Sequence, residues 1–204
     1  MTVGKLFTVI LSLTWLLAGS GFYHSYAKDF TIERDGVIVT ITDEGEVILH
    51  NWAGDIIPAM RLALKGKVTG LAVNDAICIG VTDSGEIFTS KDGRTWDITD
   101  FNKAYEGYYP KIGFVGVAAG VSSVAVAGVT ETNAPAVYIS TRGTVWSERT
   151  LNYFSGEEQF YLNELPVSIS ADLERDEFVL ECTDDTWFFL PSCSHCNRLE
   201  YRGH

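Results

Sequence analysis

Four stretches of this chain repeat one design, and that repeat limits the possible folds more than any other feature. They are "VIVTITDEGEVIL", "ICIGVTDSGEIFT", "VAVAGVTETNAPAVYI" and "FVLECTDDTWFFL", each with a Thr–acid pair after a β-like run. The pairs are Thr42–Asp43, Thr82–Asp83, Thr130–Glu131 and Thr183–Asp184, separated by 40, 48 and 53 residues. One residue before each Thr stand Ile41, Val81, Val129 and Cys182; three before stand Val39, Ile79, Ala127 and Leu180. Five before stand Val37, Ile77, Ala125 and Phe178. Apolar residues at a period of two mark one face of a strand. The column four before, Ile38, Cys78, Val126 and Val179, is apolar as well. A strand apolar on both faces is covered on both sides, as in sheets that stack.

Each pair opens a turn, with Gly45 and Gly85 supplying easy positive φ in the first two repeats. A second strand follows ("EVIL", "EIFT", "AVYI", "WFFL"), and an alternating strand precedes each unit ("FTIE", "LAVN", "FVGVA", "VSIS"). At least three strands per repeat, at a spacing of roughly 40–50 residues, predict an all-β, propeller-like array of about four blades.

Just after "EIFT" comes "SKDGRTW", Ser90 to Trp96. Ser90 and Asp92 can accept hydrogen bonds from turn amides. Gly93 tolerates a conformation that a Cβ forbids. Thr95 follows, and Trp96 is a large apolar anchor. "STRGTVW" repeats the design at Ser140, Gly143 and Trp146, with Arg142 where the acid should stand. This pattern resembles the Asp-box, the short motif of sialidase-type β-propellers (BNR repeats). The resemblance runs from about Phe30 to the C-terminus. It implies a hairpin between the third and fourth strands of a blade, set away from any catalytic centre. Ser90, Asp92, Gly93, Thr95, Trp96, Ser140, Gly143 and Trp146 are therefore expected to be structural.

Catalytic members of that family clamp a carboxylate with several arginines and use a Tyr–Glu pair. Here the Arg-Ile-Pro signature is missing, and Arg34, Arg61, Arg94, Arg142, Arg149, Arg175 and Arg198 share no repeat column. Tyr105 adjoins Glu106, but neighbours on an extended chain point apart. The chain also has fewer repeats than a complete sialidase. No residue is selected as catalytic, and no metal or cofactor is implied.

The first 27 residues read as a signal peptide. Lys5 precedes the 13-residue apolar run "LFTVILSLTWLLA", which is short of the ~20 residues a membrane span needs. "SYA" offers small residues before a cleavage site after Ala27, in place of an uncleaved anchor or a first strand. Residues 28–204 then form the propeller-like domain, secreted or otherwise outside the cytoplasm. A net charge of −12 disfavours nucleic acid and anionic lipid as partners. Cys78 and Cys182 fall in strand columns and read as buried thiols. Cys193 and Cys196 have C-x-x-C spacing beside His195; a local disulfide, half a metal site and a redox pair all remain open.

Two aromatic-rich segments interrupt the repeats: "DFNKAYEGYYPKIG" with Tyr105, Tyr108 and Tyr109, and "LNYFSGEEQFYLNEL" with Phe160 and Tyr161. These five are the candidate ligand-binding residues, on loops expected near one another. The alternative is that they pack over the blade edges or lead into the next blade's outer strand. The residues favour a non-catalytic module that binds or scaffolds protein or glycan, with self-association through an open blade edge as a further route. The alternatives are a minimal sialidase-like glycoside hydrolase and a thiol or metal protein centred on the C-terminal cysteines.

Overall fold

The computed structural model describes residues 29–34, 36–51, 56–155, 158–192 and 200–201. The predicted signal segment, Cys193 and Cys196 lie outside the described residues. Four antiparallel four-stranded sheets follow one another along the chain, each a simple meander. The first holds β1 (Phe30–Arg34), β2 (Val37–Ile41), β3 (Glu46–Asn51) and β4 (Ile56–Arg61). The second holds β5 (Val68–Val73), β6 (Cys78–Thr82), β7 (Glu86–Ser90) and β8 (Asp97–Asp100). After a short helix, α1 (Phe101–Ala104), comes the third, with β9 (Ile112–Ala119), β10 (Val124–Thr130), β11 (Pro135–Ser140) and β12 (Ser147–Glu148). A separate hairpin, β13 (Asn152–Ser155) and β14 (Glu158–Tyr161), precedes the fourth, with β15 (Pro166–Asp172), β16 (Glu177–Cys182), β17 (Trp187–Pro191) and β18 (Glu200–Tyr201).

The sheets are held by the apolar residues between them. Val39 and Ile41 of the first sheet pack with Cys78, Phe88 and Trp96 of the second. Ile79 and Val81 of the second meet Phe114, Val126 and Tyr138 of the third. Ala125 and Ala127 of the third meet Phe178, Leu180 and Phe188 of the fourth. Among the described residues, no such cluster joins the fourth sheet to the first. The burial of the second strands follows this order. Every residue of β6 is buried, whereas β2 and β16 alternate buried with half-buried positions. The middle sheets are covered on both faces and the end sheets on one.

β8 and β12, the fourth strands of their sheets, are almost wholly exposed, so they carry no apolar signature. One element differs from the sequence expectation, the helix α1. Asp100 caps it, its carboxylate accepting from the Lys103 amide at 3.0 Å. Asn102 then ties the segment down, donating to Ser84 O (3.1 Å) and Ile112 O (3.0 Å) and accepting from Ile112 N (2.9 Å).

A second difference is one of register. In the turn after each second strand, a carbonyl accepts from the amide three residues on. The pairs are Thr42–Gly45 (2.9 Å), Thr82–Gly85 (3.2 Å), Thr130–Asn133 (2.9 Å) and Cys182–Asp185 (3.2 Å). Gly45, Gly85, Asn133 and Asp185 all have positive φ (82°, 84°, 59° and 61°). Cys182, not Thr183, thus occupies the repeated position, and the fourth repeat slips by one residue. Such a slip exchanges the two faces of a strand. The face that Val37, Val39 and Ile41 present to the next sheet belongs in the fourth sheet to Glu177, Val179 and Glu181.

Candidate functional site

The turn between β7 and β8 is built by side chains that satisfy backbone. Ser90 Oγ accepts from the Gly93 amide at 2.8 Å and the Asp92 amide at 3.3 Å. Asp92 Oδ1 accepts from the amides of Arg94 and Thr95, both at 2.8 Å. Trp96 turns its indole N–H back to Gly93 O at 3.1 Å and sets its ring edge-on to Phe88, centroids 5.5 Å apart. Gly93 has φ +72°, and a Cβ there would lie 2.7 Å from Val39 Cγ2 of the preceding sheet. The copy at Ser140 keeps this plan without the acid. Ser140 Oγ accepts from Gly143 N at 2.9 Å, Gly143 has φ +71°, and its Cβ would meet Ile77 Cδ1 at 2.9 Å. Trp146 is buried. Both turns press a glycine onto the preceding sheet.

The amides of Thr95 and then Arg94 hold the Asp92 carboxyl down to about 2. A depressed acid contributes stability above the ordinary carboxylate range and loses it as pH falls through the lowered value. The Thr95 and Arg94 amide resonances are expected to titrate with a midpoint near 2; a midpoint near ~4, that of a free carboxyl, would contradict this capping.

The two aromatic segments behave differently. Tyr105 and Tyr109 pack against Phe101, at centroid distances of 4.7 and 6.1 Å, and Tyr109 against Tyr138 at 4.9 Å. Their hydroxyls bracket the Trp146 backbone: Tyr105 accepts from its N–H at 3.0 Å, and Tyr109 donates to its carbonyl at 3.4 Å. Rings and hydroxyls alike are engaged inside the fold, which leaves Tyr108, 85% exposed, as the open member. In the second segment Tyr153 stacks on Phe160 at 5.6 Å and leans on Phe188 at 5.3 Å. Tyr161, next along β14, is 63% exposed. Among the described residues, no ring contact joins the two segments.

Tyr161 lines a cleft beside the β13–β14 hairpin. Buried Leu151 and Leu162 pin the β13–β14 hairpin to the third core cluster, and Leu162 N donates to Leu151 O at 2.9 Å. Arg149 N donates to Val137 O at 2.8 Å, which fixes the strand leading into the hairpin. Between hairpin and third sheet opens a cleft of about 430 Å³, lined by Asn133, Pro135, Glu148, Arg149, Tyr161 and Asn163 among others. That is within the ~300–1,000 Å³ range of ligand sites. Arg149 is only 5% exposed, and burial pulls its pKa below the ordinary value. A guanidinium stays charged regardless, so the cleft brings Arg149 and the Glu148 carboxylate together with amides and a phenol. Sequence reasoning selected Tyr161 but passed over Arg149, Asn133 and Asn163, which lie far apart in sequence and follow no motif.

Other chemically suggestive residues are absorbed by structure. The buried carboxylate of Glu86 accepts from the amides of Lys65 (2.6 Å) and Gly66 (3.3 Å) and the Ser84 hydroxyl (3.2 Å). Cys78 and Cys182 are buried thiols outside any disulfide, and burial pushes the Cys182 thiol up to about 12. Among the described residues, no three His, Cys, Asp or Glu side chains gather as a metal site.

No protein-family model and no curated protein matches the sequence. Solved structures do. Chaetomium thermophilum Raptor is similar at 10% identity and a TM-score of 0.60, over 88% of this chain and 16% of that one. The β-propeller domain of Myceliophteria thermophila Cps50 (Swd1) is similar at 15% identity and a TM-score of 0.55, over 82% of this chain and 55% of that one. YCF48, in a structure bound to D1 peptide, is similar at 15% identity and a TM-score of 0.51, over 71% of this chain and 43% of that one. The chain has a β-propeller fold. It spans well under two thirds of each of these proteins. Its four sheets are blades, and the β13–β14 hairpin is an insertion between blades 3 and 4.

Proposed function

We propose that this chain is an exported, non-catalytic propeller module of Asp-box type that binds an extended segment of a protein partner in the cleft beside the β13–β14 hairpin. One observation carries the reading. The hairpin is an element that the blade repeat does not require, and it builds a cleft with a largely exposed tyrosine at its lip. Loops and insertions on a rigid scaffold are where binding residues concentrate, and tyrosine is enriched among binding hot spots. The peptide held by YCF48, a protein of similar fold, is consistent with a propeller serving this role. Export rests on the apolar leader-like run at Leu6–Ala18.

The test is peptide selection from a random display library on the purified chain. Selected peptides are expected to bind the wild type and to lose about tenfold or more on Tyr161→Ala, the effect of removing an aromatic hot spot. Peptides indifferent to Tyr161→Ala would contradict the assignment of the cleft. Turnover of a sialoside would replace this reading with a hydrolase, and retention on a glycan array in the absence of any selected peptide would replace it with a lectin.

A further inference from the structure

We infer that the partner segment enters as an added β-strand, pairing antiparallel with the outer edge of β14; this rests on the cleft beside the hairpin being the binding site. The hairpin's own hydrogen bonds decide which backbone groups that edge offers. Leu162 N donates to Leu151 O at 2.9 Å, so these two residues form a hydrogen-bonded pair. Bonded and non-bonded pairs alternate along an antiparallel ladder. Tyr153–Phe160 and Ser155–Glu158 are therefore bonded pairs, whereas Asn152–Tyr161 and Phe154–Gln159 are not. The N–H and C=O of Gln159 and Tyr161 thus point away from β13, the two residues about 7 Å apart. Among the described residues, nothing bonds to these four groups. β13 runs beside β18, which makes β14 the outer strand of the hairpin. The next outward amide, that of Asn163, is taken by Glu164 Oε2 at 3.2 Å and closes the edge at that end.

The outer strands of the blades carry devices that blunt an edge. β4 contains Pro58, which has no N–H to give. β8 begins and ends on aspartate, and Asp100 is held by the Lys65 ammonium and the Lys103 amide. β12 and β18 have two residues each. β14 differs. All four of its residues, Glu158, Gln159, Phe160 and Tyr161, are exposed, and none is proline or lysine. Two of the four are aromatic, in a position that an unblunted edge leaves open to another chain.

Register sets the occupant's side chains. In an antiparallel addition the residues opposite Tyr161 and Gln159 each exchange two hydrogen bonds with β14, and the residue between them lies opposite Phe160. Phe160 is 39% exposed and its ring rests on Tyr153 at 5.6 Å, so a β-branched residue there extends an existing contact. The following residue falls opposite the exposed Glu158, where a basic side chain is complementary. The chain's net charge of −12 favours the same sign in a partner. An exposed ion pair contributes little, so affinity comes chiefly from the four backbone bonds. The occupant is an extended segment that reads polar, β-branched, polar, basic from its N-terminus. A second copy fits less well: paired antiparallel about Phe160, it sets Glu158 opposite Leu162 and joins two chains of net charge −12.

The test titrates the full chain with an acetylated, amidated synthetic peptide of core Thr-Val-Thr-Lys and follows backbone amide resonances. The Gln159 and Tyr161 amides are expected to shift and to exchange with deuterium more slowly in the complex. The Phe160 amide, already bonded within the hairpin, is expected to change little. N-methylation of either Thr is expected to weaken binding about tenfold or more, whereas N-methylation of the Val, whose N–H points away from β14, leaves it within about twofold. Glu in place of the Lys is expected to weaken it about threefold; equal binding would overturn the basic position. A peptide that needs the Tyr161 side chain but tolerates N-methylation at every position would overturn the edge pairing and leave the cleft reading standing. Protection of the two amides by a peptide indifferent to Tyr161→Ala would do the reverse. Absence of binding, or a complex in which both amides exchange as before, overturns the inference. So does protection of these amides in a peptide-free dimer detected by sedimentation, because the occupant would then be a second copy.

Discussion

Replacing Phe88 by alanine is expected to destabilise the fold by about 3–5 kcal/mol, the cost of emptying a fully buried aromatic site. Phe88 is wholly buried, on the face of β7 that packs against Val39 and Ile41 of blade 1. Its ring also covers Gly80 and supports Trp96. The cavity would therefore open at a blade–blade interface and beneath the anchor of the Ser90 turn at once. Gly80, lying under the ring, cannot fill the space because it has no side chain. Urea unfolding followed by Trp96 fluorescence measures the loss. A change below about 1 kcal/mol, the size of a surface substitution, would mean that the interface does not bear on Phe88.

Gly128→Val is expected to cost about 3 kcal/mol or more, at the upper end of overpacking effects. The ladder between β9 and β10 shifts register between Ala127 and Gly128, and this brings Gly128 over the backbone of its partner strand. A Cβ there would overlap the Gly113 carbonyl and come within 2.8 Å of the Ile112 side chain. A flexible side chain can move aside; a carbonyl in a central ladder cannot without breaking hydrogen bonds. Gly128→Ala should cost less than valine but remain destabilising. Thermal unfolding of the two variants gives the order. A neutral valine would show that the shift in register is absent.

The blades were legible because their second strands carry apolar residues on both faces; in β6 both faces are covered, and in β2 and β16 one is. Val39, Ile79 and Ala127 sit in the core positions that their columns implied. The fourth column failed for a physical reason. β16 is apolar at Phe178, Val179 and Leu180 in succession, and the acids after Cys182 let a Thr–acid pair match one residue late. Only the turn hydrogen bonds, with Asp185 at positive φ, decide the register. The outer strands β8 and β12 carry no apolar pattern of their own, because an edge strand facing water needs no apolar residue.

The candidate site was legible in part. Aromatic content pointed to the β13–β14 segment, and Tyr161 lies at its cleft. The same criterion also selected Tyr105 and Tyr109, whose rings pack inside the fold against Phe101 and, for Tyr109, Tyr138. Sequence counts aromatics but not what they touch.

Stacking of the blades face to face is tested most directly by nuclear Overhauser contacts across each interface. Three are diagnostic, one per interface: Val39 methyl to Gly93 Hα, Ile77 methyl to Gly143 Hα, and Phe178 ring to Gly120 Hα. All three are expected to be strong. Absence of any one while its blade retains its own cross-strand contacts would show sheets that form but do not stack in this order.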